Sequence, residues 1–228
     1  AQGGDSARAL GLLEEMRRRD RLTPNAISYN SAIHACAAQG EVASALRLLD
    51  EMPRRQVAPN AITDRGAVDA CAGGGEWRRA LGLFSEMRRR GLQPTAVSYA
   101  SALDACAQGG DSARALNLLD EMRRQRDLVP DVRAYNCVLN ALARGGERAR
   151  ALDVLKEMRA RRLVPNEVTY NCVIHACAKG GDSERALGLL EEMRRYGLEP
   201  NGITYASIID ACAKGGDCTR ALELLDEM

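Results

Sequence analysis

The chain has 228 residues with one Trp, one Phe and six Tyr, so its core must be built mainly from Ala, Leu, Ile, Val, Met and Cys. Its 32 Lys and Arg balance 31 Asp and Glu, for a formal net charge of +1. That balance removes any argument from bulk charge for a nucleic-acid or membrane partner, and no run approaches the roughly 18 to 20 apolar residues of a membrane span.

The opening AQGGDSARAL reads as neither a secretory leader nor an Arg/Ser-rich transit peptide. It also lacks a starting Met, and the first 25 residues look like the tail of a repeat. The expectation is a processed or trimmed piece of a longer array. Internal repetition decides the fold here. YNSAIHACAAQG, YASALDACAQGG, YNCVLNALARGG, YNCVIHACAKGG and YASIIDACAKGG are versions of one phrase, and each is followed by a version of ALxLLxEM. Cys36, Cys71 and Cys106 set the period at 35 residues, as do Cys177 and Cys212.

Cutting after the residue that follows each closing proline gives units Ala26–Asn60, Ala61–Thr95, Ala96–Asp131, Val132–Asn166 and Glu167–Asn201. Partial units Ala1–Asn25 and Gly202–Met228 flank them. The third unit is one residue longer, in RRQRDLVPD, and the first partial unit has the same excess in RRRDRLTPN. In Ala61–Thr95, Asp64-Arg65-Gly66 replaces the usual Tyr and small residues. Pro53, just before that unit, is expected to end its helix early. This region is expected to be the least regular.

Each unit reads as two helices. In the fifth, the first helix spans about Val168 to Lys179, with Tyr170, Ile174 and Cys177 as its buried stripe. Gly180-Gly181 breaks it, and Asp182 or Ser183 caps the second helix. Ala186, Leu190 and Met193 form the second stripe, and Arg194 and Arg195 complement the helix dipole. A single pair cannot bury its apolar face, so neighbours must stack. The reading is an all-α, right-handed α-solenoid of 35-residue helix-turn-helix repeats. The Arg runs Arg17 to Arg19 and Arg88 to Arg90 are expected to be solvated partners of helix dipoles.

With (V/I)-(T/S)-Y-N at the start, A-L-x-L-L-x-E-M in the middle and Pro-Asn/Asp at the end, the array resembles the pentatricopeptide repeat family across essentially its whole length. The resemblance implies an organellar protein, of plastid or mitochondrion, that binds single-stranded RNA at one base per repeat. It implies base reading by the fifth and last residues of a unit: Asn30 with Asn60, Asn136 with Asn166, and Asn171 with Asn201. It implies that second residues of adjacent units sandwich each base; here these are Ile27, Ile62, Val97, Arg133, Val168 and Ile203. It implies phosphate contact at the thirteenth residue, basic only at Arg144, Lys179 and Lys214. By the family's 5′ to 3′ polarity the pairs spell C-x-x-C-C, with U tolerated. Arg65/Thr95 and Ala100/Asp131 match no common pair.

Structural readings stand beside these. The β-branched second residues could be core, and the closing Asn, Thr and Asp residues are favoured N-caps. The fifth-position asparagines are harder to explain structurally, because Asn costs on the order of half a kcal/mol relative to Ala inside a helix. Asp69, Asp104 and Asp210, four residues further on, share that face and would repel phosphate. The fifth unit, combining Val168, Asn171, Lys179 and Asn201 with Ile203 as the next wall, is expected to be the best-formed site.

No catalytic or metal constellation emerges. Cys36, Cys71, Cys106, Cys177 and Cys212 occupy one core slot in separate repeats, and no CxxC occurs. They read as small buried fillers. His34 and His175 also lie in separate repeats. No enzyme activity, cofactor, metal or small-molecule substrate is implied. The alternative partner class is protein: a scaffold or structural subunit of an organellar complex, consistent with the neutral charge.

Overall fold

The computed structural model describes residues 4–19, 22–125 and 127–227. Among them are thirteen helices and no strand. Two compact units divide the chain, Ala1–Gln108 and Gly109–Met228. The first holds α1 (Gly4–Arg18), α2 (Ala26–Ala38), α3 (Val42–Arg54), α4 (Ala61–Gly73), α5 (Trp77–Arg89) and α6 (Ala96–Gly109), the last of which ends at the boundary. The second holds α7 (Ser112–Arg124), α8 (Val132–Gly145), α9 (Arg148–Ala160), α10 (Glu167–Lys179), α11 (Ser183–Arg195), α12 (Gly202–Gly215) and α13 (Cys218–Glu227). This is the all-α two-helix repeat fold that the 35-residue period implies.

Within each unit, first helices pack on first helices, α2 on α4 and α8 on α10 on α12, and each also packs on the second helix of its own repeat. The buried stripes are those set by the helical period. Tyr170, Ile174 and Cys177 of α10 and Ala186, Leu190 and Met193 of α11 are all essentially inaccessible. Cys36, Cys71, Cys106, Cys177 and Cys212 are buried fillers. Burial pushes the Cys71 and Cys177 thiols up to about 11, so they stay protonated and unreactive at neutral pH.

The turn between the helices of a repeat uses the last glycine before the second helix. Gly181, with φ of +72°, lets the Asp182 N–H reach back to the Cys177 carbonyl at 2.9 Å. Asp182 then caps α11 by accepting from the Arg185 N–H at 3.0 Å. A second left-handed turn closes four of the repeats. Gly91 and Gly197 occupy it in two repeats, whereas Gln56 and Arg162 adopt it with φ of +62°.

Pro53 does not end its helix early: α3 runs through it to Arg54 and has the same 13 residues as α5. The proline deletes one N–H in the last turn only. Beyond it, the Arg55 N–H still reaches the Glu51 and Met52 carbonyls at 3.0 and 3.1 Å. In the following repeat α4 and α5 are also 13 residues each. Gly66 of α4 has a packing role. A Cβ there would sit 2.9 Å from Ile33 Cγ2, so glycine allows α4 to close onto α2. Asp20, Arg21 and Arg126, in the two lengthened loops, lie outside the described residues.

At Arg17, Arg123, Arg159 and Arg194 the arginine that follows the second-helix Met is not a solvated dipole partner but pairs with a carboxylate of the next repeat, whereas Arg18, Arg19, Arg88 and Arg89 are exposed. Arg17 is only 15% exposed and pairs with Glu51 of the next repeat at 2.6 Å, over the Tyr29 ring. Tyr29 OH donates to the same carboxylate at 3.1 Å. Arg123–Tyr135–Glu157 repeats the arrangement, with the ion pair at 2.5 Å and the tyrosine bond at 2.9 Å. Arg159 joins Glu192 and Tyr170, and Arg194 joins Glu227 and Tyr205, in the same way. A dipole argument sees only the arginine's own helix; the partner carboxylate lies about one repeat further along. Where Pro53 and Asp64 replace the Arg and the Tyr, Arg90 instead holds the buried Asp64 carboxylate at 2.8 Å.

Candidate nucleic-acid interface

The closing residues are N-caps. Asn60 begins α4 in an extended conformation, and its Oδ1 accepts from the Ile62 and Thr63 N–H groups at 3.0 and 3.1 Å. Asn166 and Asn201 cap α10 and α12 in the same manner, and Asp131 caps α8. Thr95 Oγ1 accepts from the Ser98 N–H at 3.3 Å. The capping role does not use the far end of the amide. Among the described residues, nothing accepts from the Nδ2 groups of Asn60, Asn166 or Asn201, and all three residues are exposed.

The fifth-position asparagines stand beside these caps. Asn30 Nδ2 donates to Asn60 Oδ1 at 3.3 Å, and Asn136 Nδ2 donates to Asn166 Oδ1 at 3.2 Å. The structure thus brings together the two members of each of these pairs, although they are 30 residues apart. A third residue completes each group. Thr63 Oγ1 donates to Asn30 Oδ1 at 2.6 Å, Thr169 Oγ1 to Asn136 Oδ1 at 2.7 Å, and Thr204 Oγ1 to Asn171 Oδ1 at 2.6 Å. These threonines were not singled out from the sequence. A signal existed, because each Asn unit is followed by a Thr in the next unit's third position, whereas Arg65 is followed by Ser98 and Ala100 by Ala134.

The second residues are not core. Ile27 is 73% exposed, Ile203 66%, Ile62 56%, Val168 54% and Val97 49%, and Arg133 is exposed as well. One turn of helix separates them from the asparagines, so an apolar group and an oriented amide share each repeat's solvent face. In the compact unit Gly109–Met228 an open cleft of about 490 Å³ lies at one such position. Arg133 and Val168 belong to its walls, with Asn136, Asn166, Asn140 and Cys172 between them. This cleft belongs to the Asn136/Asn166 pair, one repeat before the position expected to be best formed.

The basic thirteenth residues have partners already. Lys179 Nζ donates to the Arg144 carbonyl, and Lys214 pairs with Asp210 at 2.5 Å. The acids on the same face are similarly engaged. Asp69 accepts from Ser101 and lies 3.8 Å from Arg65, and Asp104 accepts from Gln108 at 3.3 Å. Arg65, which replaces the fifth-position Asn, therefore neutralises an acid on its own helix.

The family model described as "Pentacotripeptide-repeat region of PRORP" matches residues 86–228. The chain belongs to the pentatricopeptide repeat family. Models of the PPR repeat family and the PPR repeat match residues 24–73 and 67–92. Among solved structures, the pentatricopeptide repeat protein PPR10 from maize is 32% identical with a TM-score of 0.67; the alignment covers 98% of this chain and 32% of PPR10. The PPR domain of Arabidopsis thaliana protein-only RNase P 1, solved with tRNA, is 19% identical with a TM-score of 0.66, covering 79% of this chain and 95% of that one. Nuclear protein-only RNase P 2 of A. thaliana is 17% identical with a TM-score of 0.71, covering 83% and 43%. The two Arabidopsis proteins share the fold of this pentatricopeptide repeat chain. No curated protein matches the sequence. Among the described residues, no helix is long and apolar enough to cross a membrane, and no group of three or more His, Cys, Asp or Glu could hold a metal.

Proposed function

We propose that this pentatricopeptide array binds single-stranded RNA at one base per repeat, with cytosine favoured and uracil tolerated at the Asn30/Asn60, Asn136/Asn166 and Asn171/Asn201 pairs. The observation that carries the reading is the solvent-exposed second residue of each repeat, β-branched in all but the repeat that has Arg133, set beside amides with free donors. Exposed aliphatic groups at regular spacing gain by covering a flat base, and the amides offer hydrogen bonds to its edge. Ile27 with Ile62, Arg133 with Val168, and Val168 with Ile203 are the walls for those three bases. Arg144, Lys179 and Lys214 supply the phosphate contacts by exchanging their present partners for phosphate oxygens. Family membership supports, as part of this proposal, a cellular role in processing, stability or translation of an organellar transcript, in plastid or mitochondrion.

Binding of a C-x-x-C-C oligonucleotide tests this against the same oligonucleotide with purines at the three read positions. The cytosine form is expected to bind tighter, and Asn30→Ala, Asn136→Ala and Asn171→Ala together to abolish the preference. Fifth-position variants are the cleaner choice, since replacing Asn166 or Asn201 also removes a helix cap worth about 1 kcal/mol. Equal binding of both oligonucleotides refutes the proposal. The engagement of Lys179 and Lys214 within the protein favours one other reading, a scaffold for a protein partner. A salt-insensitive protein complex without RNA would support that reading instead.

A further inference from the structure

We propose that Thr63, Thr169 and Thr204 are positioning residues for base selection, so that each Asn unit discriminates cytosine from uracil only because the next unit holds its amide in one orientation. The inference rests on the base-reading proposal above. It starts from the helix cap. Asn166 Oδ1 accepts the Thr169 N–H at 3.1 Å, so the oxygen of that amide must face the backbone. Asn136 can then place only its nitrogen against that oxygen, and it does so at 3.2 Å. Its own oxygen is left pointing at Thr169, whose hydroxyl proton meets it at 2.7 Å.

The hydroxyl has one proton to give, and Asn136 Oδ1 at 2.7 Å is a nearer acceptor than Asn166 Oδ1 at 3.0 Å, while one of its two lone pairs takes the Asn166 N–H at 3.1 Å. Thr169 is fully buried, so water does not compete for either bond. Both ends of the Asn136 amide are therefore fixed by chemistry that runs from the backbone outward. The Asn30–Asn60–Thr63 group repeats every one of these bonds. The Asn171 group shares the cap and the threonine bond, at 3.2 and 2.6 Å.

Orientation matters because cytosine and uracil differ by an exchange of donor and acceptor. Cytosine offers an N4 donor beside an N3 acceptor, and uracil an O4 acceptor beside an N3 donor. Turning an asparagine amide over exchanges its oxygen and nitrogen in the same sense. An amide free to turn would accept either pyrimidine; an amide held by the threonine presents one pattern. The unit that reads a base is thus completed by the third residue of the unit that follows. The pairing within this sequence agrees: Asn30, Asn136 and Asn171 are each followed by a Thr at that place, and Arg65 and Ala100 are not.

The test uses the full chain and oligonucleotides carrying C or U at the single base facing Asn136. Thr169→Val keeps the shape and removes the hydroxyl. It is expected to lower the C-over-U affinity ratio by about fivefold, the effect of one neutral hydrogen bond, while pyrimidine preference over purine remains. Thr169→Ser is expected to keep the ratio, and Ser98→Ala, beside a unit without Asn, to leave it unchanged. A threonine serving the fold alone would weaken both oligonucleotides equally, and an unaltered ratio in T169V overturns the inference. If T169V fails to fold by circular dichroism, T204V near the C-terminal end reports the same ratio at the base facing Asn171. Failure of the unaltered chain to prefer pyrimidine would instead overturn the base-reading proposal on which this one rests.

Discussion

Arg90→Ala puts the substitution of Asp64 for tyrosine to a quantitative test. The Asp64 side chain is 4% exposed and Arg90 is 35% exposed. Arg90 gives Asp64 two hydrogen bonds from Nη1, at 2.8 and 3.1 Å, and a third from Nη2 to the Pro59 carbonyl at 3.0 Å. Removing one partner of a fully buried pair costs about 3–5 kcal/mol, because the other charge is stranded. Arg90 is partly solvated and water can enter the space it leaves, so the expected loss is about 2–3 kcal/mol at pH 7. That corresponds to a fall of roughly 4–12 °C in Tm for a chain of this size. The sign of the pH dependence is also set. Burial already raises the Asp64 carboxyl above its ordinary range, against the pull of Arg90. Without Arg90 it rises further, so the folded state takes up a proton that the unfolded state releases. The deficit of R90A should therefore be small near the ordinary carboxylate range and grow as pH rises to neutrality. Asp64→Asn added to R90A should recover much of the loss at pH 7. Urea titrations followed by circular dichroism between about pH 4 and 7.5 measure all three chains. A loss under about 0.5 kcal/mol at pH 7, or a deficit that does not shrink in acid, would refute the stranded-charge argument.

Two further outcomes follow from the same geometry. Gln56→Gly and Arg162→Gly should each raise stability by about 0.5–1 kcal/mol, since both residues hold a left-handed conformation that glycine adopts freely; unchanged urea midpoints would count against this. Glu157→Gln should lower stability by about 1 kcal/mol at neutral pH, a modest figure because the carboxylate is 31% exposed. Burial opposes ionisation of Glu157, but bonds from Arg161 and Tyr135 and the Arg123 charge outweigh it and hold the carboxyl below its ordinary range. Its contribution is thus complete above the ordinary glutamate range and fades as pH falls through the depressed value. The two chains should converge in acid, and a pH-independent gap would show that the charge is not the cause.

The period, the two helices of each repeat and their buried stripes were legible in the sequence, because those signals lie within a few turns of one chain segment. The closing asparagines were legible as caps for the same reason: a cap bonds to residues two and three further on. The exposure of Ile27, Ile62, Val97, Val168 and Ile203 was not. A β-branched residue early in a helix suits a core equally well, and only the packing of first helix on first helix leaves this position in solvent. Nor was the fate of Pro53 legible, since its cost depends on which turn of the helix it occupies.

What the sequence alone determined is the repeat and its register, since 35-residue periodicity, glycine turns and Asn caps are local and recur in step. What only the tertiary structure decided is which side chains meet across repeats. Thr63 reaches Asn30, Thr169 reaches Asn136, and Arg17 reaches Glu51, over separations of 33, 33 and 34 residues. Such bonds depend on how two neighbouring helices sit against each other to within an ångström. No single repeat carries that information, because it arises only when the next repeat is stacked on it.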